Sequence, residues 1–134
     1  ELIYVNDEND VFQYNVGDEV TVVCFNFSFS YGKQIVDLLK KNNLKCSFFN
    51  VNSPTPTNWT KIIDDVSKTK KIIILDDSKS ENLNCYSLLN DISNKVILDK
   101  KIILKRNLDN TDWLSPIDDA LDINLQQILD DLIE

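Results

Sequence analysis

Apolar residues along the chain form short β-prone runs that alternate with segments of helical spacing. Nearly continuous apolar runs are typical of strands covered on both faces, and four of them stand at residues 20–25, 45–51, 71–75 and 102–104. Strands that alternate with helices indicate a largely parallel sheet with helices on both sides. The sequence therefore predicts an α/β fold, a three-layer α/β/α sandwich with a mostly parallel central sheet of about five strands.

Apolar residues three and four positions apart predict helices between and after these strands. Four are expected: one capped by Ser30 and ended by Asn42-Asn43, one capped by Thr57 or Asn58, one over residues 81–96, and a closing amphipathic helix over residues 125–132. Residues 53–57 contain two prolines and are expected to form a loop, as is the polar segment 106–116.

The first residues differ in character from the rest. Residues 1–18 are polar and acidic, and we expect an irregular lead-in with at most a short strand near Val11 to Tyr14. Residues 19–134 are predicted to form a single domain, since a chain of 134 residues falls in the usual size range of one domain.

Charge and hydropathy narrow the classes of function. The formal net charge is −8, which repels phosphate backbones and anionic lipid surfaces, so we expect neither nucleic acid nor a membrane as partner. No apolar run approaches the roughly 20 residues that span a bilayer. The three basic clusters, at residues 40–41, 68–71 and 100–101, are expected at helix ends or strand starts.

The cysteines and the lack of histidine limit the catalytic mechanisms and the cellular compartment that we expect for this chain. Cys24, Cys46 and Cys85 lack the spacing of a metal or redox motif, which predicts reduced thiols and an intracellular protein of the cytoplasm or an organelle matrix. Cys24 and Cys46 lie in apolar strand patterns and are expected to be buried. The sequence has no histidine, which excludes Ser-His and Cys-His catalysis within this chain, and its two glycines cannot form a phosphate-binding glycine loop.

An acidic pair follows the third predicted strand. Asp76-Asp77 would lie at the carboxyl edge of the sheet, where open α/β sheets place ligands, and two carboxylates could hold Mg²⁺. An acidic Mg²⁺-binding or receiver-like regulatory domain centred on this pair is the alternative function. Only 57 residues follow Asp77, too few to complete a receiver domain.

Residues 16–23 read VGDEVTVV, and residues 50–77 run from a predicted strand end through a proline-containing loop and a helix to an acidic strand end. These two segments resemble the C-terminal domain of transketolase-like thiamine-diphosphate enzymes: the first resembles the family's glycine-acid-(V)-T-(V)-V opening, and the second its loop, helix and acidic strand end. The residues that fit the second segment are Ser53, Pro56, Ile62 or Ile63, Val66-Ser67, Lys68-Thr69 and Asp76-Asp77. The pattern is most like the beta subunits of pyruvate and branched-chain 2-oxo-acid dehydrogenases, and it runs without gaps from Gly17 to Asp77.

The sequence departs from the family pattern at three places. Asn52 stands where the family has arginine, Asn58 where it has aspartate, and residues 80–83 replace a glycine-rich segment. These departures put inherited contacts at those positions in doubt and leave the predicted fold unchanged.

The resemblance implies a domain whose role is assembly. Family members bind thiamine diphosphate and Mg²⁺ through two other domains, so no cofactor, metal or catalytic residue is expected here. The implied function is that of a non-catalytic dimerisation and subunit-interaction domain, in a homodimer or heterotetramer with other domains or subunits of a parent enzyme. A solitary binding module is a third hypothesis. The expected contact residues are Ser53, Pro54, Asp77, Ser78 and Trp113.

Overall fold

The computed structural model describes residues 4–6, 11–25, 29–51, 59–76, 86–105 and 128–132. In this part of the chain the strands are β1 (Tyr4–Asn6), β2 (Val11–Asn15), β3 (Val20–Phe25), β4 (Cys46–Val51), β5 (Lys71–Asp76) and β6 (Lys100–Lys105). The helices are α1 (Phe29–Lys41), α2 (Thr60–Thr69) and α3 (Tyr86–Ser93), and residues 128–132 form a further short helix.

The strands form one sheet in the order β1-β2-β4-β3-β5-β6. β3, β4, β5 and β6 run parallel, whereas β1 and β2 pair antiparallel with their neighbours. β3 lies between β4 and β5, with Val22 aligned to Phe48 and Ile73. All six residues of β3 and all six of β4 are buried, as expected for strands covered on both faces.

Two apolar clusters cover the two faces of the sheet. On one face, α2 and α3 pack against residues such as Val23, Phe49 and Ile72. On the other face, α1 and the short helix 128–132 pack against residues such as Val22, Phe48 and Ile73. Because successive side chains of a strand point to opposite faces, each buried strand contributes to both clusters. The predicted α/β class, a mostly parallel sheet with helices on both sides, is confirmed.

The predicted strands are confirmed within one or two residues at their ends, and β5 extends to Asp76. Three helix boundaries were wrong. α2 begins at Thr60 with Trp59 as its N-cap residue, instead of Thr57 or Asn58. α1 begins at Phe29, which places Ser30 inside its first turn instead of at its cap, and α3 ends at Ser93 because residues 94 and 95 form a turn. The predicted loops at 53–57 and 106–116, and residue Cys85, lie outside the described residues.

The lead-in is more regular than predicted. A strand near Val11 to Tyr14 is confirmed as β2, but β1 was not expected, and both strands belong to the main sheet. The sheet therefore has six described strands instead of about five. The division of the chain at residue 19 stays a prediction.

The basic clusters and two of the cysteines lie where the sequence predicts. Lys40 and Lys41 end α1, Lys68 lies in the last turn of α2, and Lys100 begins β6. Cys24 and Cys46 are both buried. Of the helices in the described part of the chain, none is both long and apolar enough to cross a bilayer.

Candidate functional site

A cluster of hydrogen-bonded polar side chains is buried between α2 and the amino ends of β3 and β4. We call it the Asp65 cluster, and it consists of Thr21, Ser47, Asp65 and Thr69 with the main chain of Gly17. Thr21 and Ser47 are aligned partners on neighbouring strands, so their side chains share the sheet face that α2 covers.

Both carboxylate oxygens of Asp65 accept from hydroxyl groups. Thr21 Oγ1 donates to Oδ2 at 2.5 Å, and Ser47 Oγ donates to Oδ1 at 2.7 Å. The hydroxyls of Thr21 and Thr69 lie 2.8 Å apart, within hydrogen-bond distance, and Thr69 Oγ1 donates to the Lys71 carbonyl oxygen at 3.2 Å. Buried polar groups are costly unless they are paired, and this network pairs them with one another.

Burial governs the titration of this carboxyl. It raises the pKa of Asp65 above its ordinary value, while the hydrogen bonds from Thr21 and Ser47 and the charges of Lys68 and Lys61 oppose that change. Removal of the carboxylate from water disfavours its charged form, and the desolvation outweighs the opposing effects. Since both oxygens accept hydrogen bonds from residues of the sheet, the cluster joins α2 to the sheet.

Gly17 completes the cluster through its main chain. Its N–H donates to Ser47 Oγ at 3.0 Å, where the chain passes against β4 before entering β3. A Cβ at this position would lie 2.5 Å from the Lys45 carbonyl carbon and 2.6 Å from that of Cys46. The absence of a side chain is therefore a steric requirement, since the φ angle of Gly17 is not positive.

The structure brings together residues from both segments of the family-like pattern. Gly17 and Thr21 belong to the first segment and Thr69 to the second, and all three meet in the Asp65 cluster. Sequence analysis did not single out Asp65 or Ser47. The available signal was a lone acid on the otherwise apolar face that Ile62 and Val66 form on α2.

A cleft on the opposite face of the sheet lies between β2 and α1. A β-bulge between Gln13 and Asn15 shifts the register of β2 against β4, with Gln13 aligned to Phe49 and Asn15 to Phe48. Gln13 and Phe49 belong to the α2 side, whereas Tyr14 packs with the α1-side cluster and Asn15 is aligned with Phe48 on that side. The extra residue therefore directs two consecutive side chains, Tyr14 and Asn15, toward α1.

This β2–α1 cleft has two adjoining parts that share Tyr14, Asn15 and Lys40. The larger part has a volume of about 640 Å³ and the smaller about 230 Å³. The larger part is lined further by Val16, Asn43, Leu44, Lys45 and Cys46, and the smaller part by Phe29, Lys33, Val36 and Phe48.

Aromatic rings form one wall of the smaller part. Phe29 stacks on Phe48 with ring centroids 5.2 Å apart, and Tyr14 meets Phe29 edge to face at 5.0 Å. Asn15 lies at the junction with the larger part. With its amide turned to the orientation that satisfies both neighbours, its Oδ1 accepts from Lys40 Nζ at 3.1 Å and its Nδ2 donates to the Tyr14 carbonyl oxygen at 2.8 Å. The cleft thus combines an aromatic wall with an oriented cation, a combination that sequence analysis missed.

Burial disfavours the reactive, ionised form of the Cys46 thiol in the larger part. Burial raises the pKa of Cys46 to about 11, and the nearby Lys40 charge lowers it only in part. Because the thiolate is the reactive form, this cysteine is a structural residue, as the sequence predicts.

The structure does not test the predicted contact residues. Ser53, Pro54, Asp77, Ser78 and Trp113 all lie outside the described residues, so their role as contacts stays a prediction. Asp76 is described: it ends β5 at the carboxyl edge, aligned with Phe25 and Lys105, and its side chain is fully buried.

The described residues provide no metal centre. Nowhere in the ranges given above do three Asp, Glu or Cys side chains gather closely enough to hold an ion. The hypothesis of Mg²⁺ at Asp76-Asp77 needs Asp77, which lies outside those ranges, and it stays a prediction.

Comparison with known proteins supports the fold. The structure is similar to that of a split-gene transketolase, described as an inactive beta4 tetramer, with a TM-score of 0.68 at 10% sequence identity. The match covers 89% of this chain and 41% of that chain, so this chain spans less than half the length of the transketolase chain. No family model and no curated protein matches the sequence. At this identity the likeness shows a transketolase-like α/β fold.

Proposed function

We propose that this chain is a non-catalytic subunit-interaction domain of a transketolase-type, thiamine-diphosphate-dependent protein. The observation that carries the proposal is the similarity of its fold, over 89% of the chain, to part of a subunit from a tetrameric split-gene transketolase. The sequence pattern at residues 16–23 and 50–77 supports the same family and, within it, the beta subunits of 2-oxo-acid dehydrogenases.

The chemistry of the described residues agrees with a role in assembly. The buried carboxylate of Asp65, whose pKa is raised, accepts hydrogen bonds from the Thr21 and Ser47 hydroxyls and supports the fold. The chain has no histidine to serve as a base. Thiamine diphosphate and Mg²⁺ would accordingly be held by other domains of the parent protein, which this domain would help to assemble as a homodimer or heterotetramer.

The proposed contact surface is the carboxyl edge of the parallel strands. β4 and β5 end at this edge with Val51 and Asp76, and the proposed contacts Ser53 and Asp77 follow one or two residues later. Trp113 is the proposed anchor, because large aromatic residues contribute disproportionately to the free energy of protein interfaces.

Light scattering after size-exclusion chromatography tests the proposal. The mass of one chain is 15.5 kDa, and we expect a self-associated form at about twice that value whose population grows with protein concentration. Trp113→Ala should raise the dissociation constant of the self-associated form by about tenfold or more, which favours the monomer.

Ile97→Ala is the matched control. Ile97 is 87% exposed and precedes β6, at the amino edge of the sheet, opposite the proposed contact surface. Its substitution, like that of Trp113, removes a large apolar side chain. It should leave the dissociation constant unchanged. A wild-type chain that stays monomeric at all concentrations, together with a parent protein whose assembly and activity survive deletion of residues 1–134, would contradict the proposed role.

A further inference from the structure

We propose that the β2–α1 cleft is a binding site for a small organic anion that carries an aromatic ring. The proposal does not depend on the subunit-interaction role, since the cleft lies on the α1 face of the sheet and not at its carboxyl edge.

The charge of the cleft is opposite to that of the protein as a whole. The chain has 22 acidic and 14 basic residues, yet the described residues that line the cleft include Lys33, Lys40 and Lys45 and no carboxylate. Lys33 and Lys40 are seven positions apart on α1 and so lie on the same side of the helix. A concave surface lined by one sign of charge raises the local concentration of oppositely charged ligands.

The described carboxylates nearest in sequence do not line the cleft, although the charge of Asp37 reaches Cys46 in its larger part. Asp37 lies on α1 between the two lysines but lines neither part of the cleft. Glu19 also lines neither part, although its Oε2 accepts from the main-chain N–H of Lys45, a residue of the larger part, at 2.7 Å. Among the described residues, the walls that carry Lys33, Lys40 and Lys45 therefore include no acid.

The aromatic wall supplies the second half of the recognition. Tyr14, Phe29 and Phe48 line the smaller part, whose volume of about 230 Å³ exceeds the roughly 150 Å³ that accommodates benzene in a protein interior. Aromatic rings prefer edge-to-face or offset neighbours, and the Tyr14–Phe29 pair already shows that geometry at 5.0 Å. A planar ring would add to this cluster.

Lys40 links the two halves of the site. It lines both parts of the cleft, and Asn15 holds its ammonium group at the junction through the 3.1 Å hydrogen bond. A ligand whose ring enters the smaller part would place its anionic group beside Lys40. Apolar walls with a few oriented polar groups are the usual composition of small-molecule sites. The β-bulge that turns Tyr14 and Asn15 to the same face is thus the local device that creates the site.

Three matched probes test the two halves of this recognition separately. Phenyl phosphate carries both features, inorganic phosphate only the anion, and benzyl alcohol only the ring. Titrations of the isotopically labelled chain, followed by amide chemical shifts, should show saturable changes at Tyr14, Asn15 and Lys40 with phenyl phosphate. The other two probes should bind at least about tenfold more weakly, because each loses one set of contacts.

Substitutions locate the binding. Lys40→Gln and Tyr14→Leu should each weaken phenyl phosphate binding by about threefold to tenfold, since one removes the charge and the other the ring. Lys95→Gln is the control, because it makes the same change of charge at an exposed lysine outside the cleft. Circular dichroism of each variant checks that the fold is retained. The Lys40→Gln variant should retain it fully, because the Lys40 side chain is exposed.

Several results would overturn the proposal. Equal affinity for phenyl phosphate and inorganic phosphate would show a merely basic surface, and equal affinity for benzyl alcohol would show a merely apolar one. A loss with Lys95→Gln as large as that with Lys40→Gln would show non-specific attraction. Absence of saturable shifts at tens of millimolar phenyl phosphate would also exclude the site.

Discussion

Thr21 Oγ1 donates a hydrogen bond to Asp65 Oδ2 at 2.5 Å, and this bond joins two residues that are 44 positions apart in the chain. It ties the amino end of β3 to α2, and the parallel bond from Ser47 ties the amino end of β4 to the same carboxylate. One acidic side chain therefore connects the two most buried strands with the helix that covers them. Substitution of Asp65 should therefore act mainly on the free energy of unfolding.

Asp65→Ala should lower the free energy of unfolding by about 2–3 kcal/mol, because it leaves the buried Thr21 and Ser47 hydroxyls without their acceptor. Urea unfolding followed by circular dichroism measures the change. Asp64→Ala is the control, since Asp64 is the neighbouring, exposed acid of the same helix and its loss should cost less than about 0.5 kcal/mol. Equal effects of the two substitutions would contradict a specific role for Asp65.

The raised pKa of Asp65 predicts a pH dependence of stability. A carboxyl whose folded-state pKa lies above its unfolded-state value binds a proton more readily in the folded protein. Its favourable contribution is fully present below the unfolded-state pKa and is lost as the pH rises through the folded-state pKa. As the pH falls from about 7 to about 4, the free energy of unfolding of the wild type should therefore rise relative to that of Asp65→Asn.

Urea unfolding of both proteins at the two pH values tests this prediction, because titration of all other carboxylates is common to the pair. The difference in free energy of unfolding, wild type minus variant, should be larger at the lower pH. A difference that shrinks as the pH falls would mean that the hydrogen bonds from Thr21 and Ser47 outweigh the desolvation of the carboxylate.

Gly17→Ala should destabilise the fold by about 1–3 kcal/mol, because the new methyl group would overlap the main chain of Lys45 and Cys46 at the start of β4. The main chain of a buried strand cannot rotate away as a flexible side chain can. Thermal unfolding measures the loss, and Asp18→Ala, an exposed change at the next residue, serves as the control. An unchanged melting temperature for Gly17→Ala would mean that the close approach to β4 is absent in solution.

Cys24 and Cys46 should resist thiol reagents in the native protein. Both are buried, and at about pH 8 a thiol with a pKa of about 11 is only about one-thousandth ionised. In a Cys85→Ser background, a disulfide reagent should label the native chain slowly and both remaining thiols quickly in urea. Rapid native labelling of either cysteine would show that the strands open readily or that the thiols are exposed.

The strands and the fold class follow from the sequence because burial on both faces demands continuous apolar runs, as in VTVVCF and KIIILD. The sequence does not predict in the same way that β1 and β2 pair with the sheet, because they lack such continuous apolar runs. Their residues mix polar and apolar types, since β2 has buried Val11 and Gln13 on one face and partly exposed residues on the other. Composition alone makes such a segment look like an irregular lead-in.

The order of polar and apolar residues along the chain determined where β3 to β6 and the main helices lie. It also determined that strands and helices alternate. Tertiary structure alone decided which polar residues meet. Thr21, Ser47 and Asp65 form one hydrogen-bonded group because strand order and helix placement set distances that no local spacing encodes. The cleft between β2 and α1 likewise depends on a one-residue bulge, which redirects Tyr14 and Asn15 without leaving a periodic signal in the sequence.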